Sequence, residues 1–444
     1  MNFSSIKPIL EETPIYTNSN EVANISGVSL TMWDVSIAAL ISRLNLFYVG
    51  EAGPGKTQLS TDLANLIFNA EALDLRGSLD LDLKSLFTRM DLGKLNKMEG
   101  STDQLYELTE KVNFHLSLID ELNRCPPVIQ NQFFNITDGY IEFQGKKAYF
   151  GKGEGEHYSV GIATGNLGDG VYTGTFSIDN ALRDRLHLTL DFDFYYPLPE
   201  DTLSVSMGTT DPRVRQASKK DSFEPILHSY SELKSIKSED YLDAWLAGQF
   251  LDHGLDFVDV ASGMPQSKRI LKNVYPDILV SEGSQDAGVA LSYVRPFTLR
   301  GVSKTLALAK GLCAVASAKS GSEFSLDYNS VFEAYRLILP YSGALTPKLL
   351  DDYRQNPNLA ANAIAKEASD AFLSGTEEQE GGKTVRKGGA QAFSHALSKA
   401  TEGQLSNKDI KDLTGNWKFA VGILQRQNTL ATTGQQKQKL EMKV

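Results

Sequence analysis

"GEAGPGKT" (residues 50–57) directly follows the apolar run "LNLFYV" (residues 44–49). Three glycines and a proline surround one lysine. Two readings compete: a plain turn with a solvated lysine, or a cradle for the phosphates of a nucleotide. Gly50, Gly55, Lys56 and Thr57 satisfy G-x-x-x-x-G-K-[ST] at every fixed place. Each residue type there has a physical reason. Glycines let backbone N–H groups turn inward around phosphate oxygens. Lys56 reaches the β- and γ-phosphates, and the Thr57 hydroxyl holds Mg²⁺. Leu59, Leu63, Leu66 and Ile67 mark one face of a following helix, whose positive N-terminus points at the anion. A strand before and a helix after favour the cradle. Gly50, Glu51, Ala52, Gly53, Pro54, Gly55, Lys56, Thr57 and Gln58 are therefore assigned to ATP binding.

A phosphate loop alone says nothing about hydrolysis. "LSLIDE" (residues 116–121) is an apolar strand ending in Asp120 and Glu121. In a parallel sheet, strand C-termini face the ligand crevice. Asp120 then joins Thr57 as a metal residue, holding Mg²⁺ through its water shell, and Glu121 orients or deprotonates the attacking water. The competing reading is a plain acidic turn, weakened by the phosphate loop upstream. Asn166 closes "IATGN" (residues 162–166). It either positions the attacking water or is a turn asparagine beside glycines, and both readings stand. "NALRDRLHL" (residues 180–188) carries Arg183 and Arg185. A neighbouring subunit's arginine can stabilise charge in phosphoryl transfer. Otherwise these are two solvated arginines, the simpler reading unless the chain forms rings.

Strands at "NLFYV", "EALDLR", "FHLSLID", "YSVGIATGN" and "LHLTLDFDF" alternate with helical segments, which implies a parallel sheet wrapped by helices. "YIEFQGKKAYF" (residues 140–150) reads as a hairpin with Gly145 at the bend. The 444 residues divide into an irregular lead-in (1–30), an α/β core (31–199), a helical domain (200–349) and a polar extension (350–444). Within the last, "SGTEEQEGGKTVRKGGA" (residues 374–390) reads as a flexible linker. The formal charge of −11 argues against tight nonspecific nucleic-acid binding. The two cysteines, Cys125 and Cys313, have no metal-site spacing. No run approaches the roughly 20 apolar residues of a membrane helix. A soluble, cytoplasmic protein is expected.

Together, "GEAGPGKT", "LSLIDELNRCPPVIQNQFF", "IATGN" and "NALRDRL" resemble the MoxR family of AAA+ ATPases. The run from Asp120 through Asn123, Arg124, Pro126 and Pro127 is the most specific element. The resemblance implies a P-loop α/β core, then a helical lid domain and a polar, mostly helical tail. It implies Asn166 as a sensor, Arg185 as an arginine finger and Arg300 as the lid's nucleotide-sensing arginine. The family's "QNP" is "GNL" here, and its Phe after the finger is Leu186. The implied activity is ATP hydrolysis with Mg²⁺ in a hexameric homo-oligomeric ring. That ring remodels or activates a client protein, with a von Willebrand factor A domain protein as partner and possible metal-cofactor loading. The alternative is a nucleic-acid-translocating motor of helicase or restriction type, for which only Lys146, Lys147 and "ASKK" (residues 217–220) offer basic contacts. A GTPase is disfavoured because "NKME" (residues 96–99) lacks the Asp of a base-reading N-K-x-D run.

Overall fold

The computed structural model describes residues 3–69, 72–78, 86–90, 106–151, 157–166, 176–208, 213–254, 258–259, 264–265, 294–295, 297–380, 382–413 and 415–441. These fall into two units. The first holds Met1–Lys237 and Ala307–Ser325, the second Ser238–Leu306 and Leu326–Val444.

The first unit is built on five parallel strands: β1 (Leu46–Val49), β2 (Ala72–Arg76), β3 (Leu116–Asp120), β4 (Val160–Gly165) and β5 (Leu188–Asp191). Their spatial order is β5-β1-β4-β3-β2. Every residue of β1 and β4 is buried, as expected of central strands covered on both faces. Edge strand β2 buries only Leu75. In register, Val49 stands opposite Asp191 and Gly165, and Arg76 opposite Asp120. The phosphate loop, the acidic pair and the polar end of β4 therefore meet at one edge, outside the strand C-termini.

Helices pack on this sheet for legible reasons. Helix α1 (Met32–Ile41) begins at a capping box: Asp34 N donates to Thr31 Oγ1, and Thr31 N donates to Asp34 Oδ2 at 2.8 Å. The apolar run "SIAALISR" (residues 36–43) marks only the later part of this helix, which the box starts four residues earlier. Helix α2 (Lys56–Ile67) buries Leu59, Leu63, Leu66 and Ile67, the face its spacing predicts. Helix α3 (Pro127–Thr137) starts on a proline, which has no N–H to leave unpaired. It stops before Gly139, at φ +84°. The hairpin Tyr140–Phe143 and Lys146–Tyr149 follows, with Gln144 and Gly145 both left-handed at the bend. Short helix α4 (Asn180–Arg185) is capped by the Asp179 side chain.

The lead-in is more ordered than its composition suggests. It contains a short hairpin, Ala23–Ile25 with Val28–Leu30, and places Phe3 and Ile6 in the core.

The second unit is mainly helical, with Leu242–Gln249, Tyr328–Ile338, Pro357–Ser374, Gly389–Thr401 and Val421–Glu441 as its main helices. Trp417 is fully buried there, its ring 5.0 Å from Phe372 and 5.6 Å from Phe393. The apolar run "NWKFAVGIL" (residues 416–424), in an otherwise polar tail, thus anchors a core. Residues 374–390, expected as a linker, instead contain an antiparallel pair, Thr376–Glu380 with Lys383–Lys387. Gly382, just before the second strand, sits at φ +80°. Gly-Gly between two such runs is a hairpin signal that the polar composition obscured.

Helix Leu299–Ser320 is divided between the units at residues 306 and 307. No helix among the described residues is long and apolar enough to cross a membrane.

Candidate active site

The phosphate loop needs its glycines. Gly50, Gly53 and Gly55 have φ of +137°, +112° and +100°, where a side chain is strained. A Cβ on Gly55 would lie 2.7 Å from the Tyr16 ring, so Tyr16 covers the loop's last turn. Glu51 N donates to both carboxylate oxygens of Asp193, at 3.1 and 2.8 Å. Lys56 is 8% exposed. Its Nζ donates to Gly50 O at 2.8 Å and to Glu51 O. Burial pushes its pKa down, opposed by Asp193, Asp120, Glu121 and Asp191.

A second cluster faces this loop. Thr57 Oγ1 donates to Asp120 Oδ1 at 3.3 Å, and Thr164 Oγ1 donates to the same oxygen at 2.6 Å. Thr164 Oγ1 in turn accepts from Glu121 N at 2.9 Å. One threonine on β4 thus fixes both acidic residues. Glu121 is left-handed at φ +56°, a conformation that costs energy outside glycine and points to a functional constraint. Its carboxylate pairs with Arg124 Nε at 2.9 Å. Gly77 N donates to Asp120 O at 2.7 Å.

The polar residues after the acidic pair brace this cluster. Buried Asn123 donates to Asn166 O at 2.9 Å, holding the end of β4. Buried Gln130 donates to Cys125 O at 2.9 Å and accepts from Asp179 N at 3.1 Å, fixing the start of α4.

These groups line a pocket of about 650 Å³, a volume suited to a nucleotide. Lys56, Thr57, Gln58, Asp120, Glu121 and Asn166 all lie on its wall, as do Ala52, Gly53, Pro54 and Gly55. Arg183 and Arg185 do not line it. Arg185 Nε donates to Asp138 Oδ2 at 2.9 Å, and its guanidinium lies 4.9 Å from the centre of the Phe134 ring. Arg300 is exposed near the start of Leu299–Ser320, in the second unit.

Residues 45–186 match the family model of the AAA domain, dynein-related subfamily. The chain carries an AAA ATPase domain. It is thus an ATP hydrolase by domain class, with a nucleotide as its ligand. A crystal structure of a proposed ATPase from Cytophaga hutchinsonii shares the fold, with a TM-score of 0.50 at 12% identity. The similarity covers 76% of this chain and 88% of that one. A search of curated proteins returns no match.

Several wall residues of the AAA pocket escaped the sequence reading. Ile15, Tyr16 and Thr17 come from the lead-in, Asp201 from the helix Pro199–Gly208, and Arg213 and Arg215 from an irregular segment after it. Only the basic alternation in "PRVR" (residues 212–215) hinted at the last two. The residues present fit a magnesium-bound triphosphate. Thr57 and Asp120 converge as a hard-oxygen pair, and the near-buried Lys56 ammonium lies on the loop's own carbonyls, within reach of anionic oxygens.

Proposed function

We propose that this AAA domain hydrolyses ATP at an interface between subunits, each chain supplying Arg185 to its neighbour's pocket. The observation that carries this reading is the separation of parts. Lys56, Thr57, Asp120, Glu121 and Asn166 share one pocket, whereas Arg183 and Arg185 lie outside it. Lys56 and the loop amides bind the phosphates. Thr57 and Asp120 hold Mg²⁺, which when bound neutralises phosphate charge and orients the chain. Glu121 takes the proton of the attacking water, and Asn166 holds that water in line. Asp138, just past the end of α3, holds the Arg185 guanidinium until a neighbour's γ-phosphate competes for it.

The Asn123-Arg124-Cys125-Pro126-Pro127 run, which resembles the MoxR family, supports a wider reading. It is a cytoplasmic, hexameric ring that remodels or activates a client protein, with a von Willebrand factor A partner. Arg300 acts there as the lid's nucleotide-sensing arginine.

Subunit mixing tests the interface. Glu121→Gln and Arg185→Ala are each expected to lose about 10²-fold or more in turnover while still binding ATP. Mixed in equal amounts, they regain activity, because an Arg185→Ala subunit keeps Glu121 and borrows Arg185 from its Glu121→Gln neighbour. A mixture no more active than its components overturns the shared site.

A further inference from the structure

We propose that Arg213 and Arg215 are phosphate-binding arginines acting in cis, carried on a strap that Gln58 holds against the loop helix. The proposal rests on the nucleotide reading of this pocket.

The strap runs along α2. Lys220 N donates to Asn65 O at 2.8 Å, Ser222 N to Ile67 O at 3.1 Å, and Asn65 Nδ2 to Gln216 Oε1 at 3.1 Å. Asp221 forms an antiparallel bridge with Phe68. At the pocket end the anchor is a side chain. Gln58 Oε1 accepts from Arg215 N at 2.9 Å, and Gln58 Nε2 donates to Arg215 O at 2.9 Å. The amide thus pairs with both backbone groups of one residue, as a neighbouring strand would.

Gln58 is itself held. Its Nε2 also donates to Asp62 Oδ1 at 2.8 Å, and Asp62 Oδ2 accepts from Tyr16 N at 2.7 Å. Asp62 is fully buried. One carboxylate therefore ties together the strap and the lead-in segment that covers Gly55. A side chain beside the lysine and threonine of the phosphate motif thus holds the backbone of Arg215, two residues along from Arg213.

The chemistry at the anchored end suits phosphate. Arg213 and Arg215 both line the pocket. Guanidinium is permanently charged and forks onto phosphate oxygens bidentately. Among the described wall residues, Lys56 is the remaining Lys or Arg, facing the carboxylates of Asp120, Glu121 and Asp201. Two further cations offset that acidity where a polyanionic triphosphate must sit. The strap belongs to the same unit as the pocket. Because they line their own chain's pocket, as Arg185 does not, these arginines serve that chain's nucleotide.

The test is titration calorimetry on the full chain with ATP, and adenosine measured by competition. Arg213→Ala and Arg215→Ala are each expected to weaken ATP about tenfold while adenosine stays within about twofold. Gln58→Ala should weaken ATP in the same pattern, since the clamp is lost while both arginines remain. Where an alanine variant fails to fold, the Arg213→Lys and Arg215→Lys pair replaces it. That pair keeps charge but loses the fork, so ATP weakens severalfold and adenosine is unchanged. Wild-type ATP affinity in both arginine variants overturns the proposal. So does an equal loss for ATP and adenosine, which marks a structural strap. Unchanged ATP binding in Gln58→Ala overturns its positioning role. Lys56→Ala separates the two levels. If it binds ATP like the wild type, the nucleotide reading itself falls; if it loses ATP while the arginine variants do not, only this proposal falls.

Discussion

Lys56 carries its charge in a place that resists charge. Burial favours the neutral amine, and the carboxylates of Asp193, Asp120 and Glu121 only partly restore the cation. The proton therefore leaves at lower pH than from an ordinary lysine, whose pKa is 10.5. Phosphate oxygens favour the charged form, so ATP affinity should fall as pH rises, starting below that value. Lys56→Arg should carry the loss to higher pH, because guanidinium does not titrate there. Titrating ATP across the alkaline range checks this; a flat wild-type affinity through it counts against the assignment. Residues of this kind were legible in the sequence because phosphate chemistry fixes their type and spacing. Tyr16, Arg213 and Arg215 were not. They reach the pocket by tertiary routes, and no local pattern marks a wall whose partner lies dozens of residues away. Thr164 stood in plain view in "IATGN", yet its bonds to Asp120 and Glu121 depend on β4 lying beside β3.

Strand ends set the geometry of the acidic pair. β2 and β3 run in register up to Arg76 and Asp120, and Gly77 follows directly. A Cβ on Gly77 would lie 2.2 Å from Glu121 O, so the turn and this glycine cannot both stay in place after substitution. Gly77→Ala should lower the rate of phosphate release about 10²-fold by displacing the general base, and weaken ATP binding far less. A wild-type rate would show that Glu121 tolerates the shift. At this scale the sequence was a good guide wherever period and turn chemistry agree. All five strands, the buried face of α2 and the hairpin with Gly145 at its bend were readable. The start of α1 is set by its capping box rather than by its apolar period. The pairing of Thr376–Glu380 with Lys383–Lys387 was lost because charge-rich strands resemble linkers in composition.

The order of segments along the chain differs from their grouping in space. Residues Ala307–Ser325 belong with the first unit although Ser238–Leu306 intervene. Their attachment is specific. Ser42 Oγ donates to Ala307 O at 2.8 Å, Lys319 Nζ pairs with the buried Asp34 carboxylate at 2.6 Å, and the Phe324 ring lies tilted 5.3 Å from Phe3. A Cβ on Gly311 would meet Ala38 O at 2.3 Å. Gly311→Ala should therefore destabilise the first unit by about 1–3 kcal/mol, read from urea unfolding. An unchanged midpoint would mean that the helix moves aside freely. Composition suggested a boundary near residue 200 and one helical domain up to 349, because nothing local reveals that a helix returns to an earlier core. The interleaving has a practical corollary for anyone recombining this chain with relatives. A cut after Lys237 does not release a self-sufficient first unit, since it discards the piece that covers α1. Grafting a foreign second unit requires two transplanted inserts flanking a retained native stretch, so a single crossover yields a chimera with an exposed core.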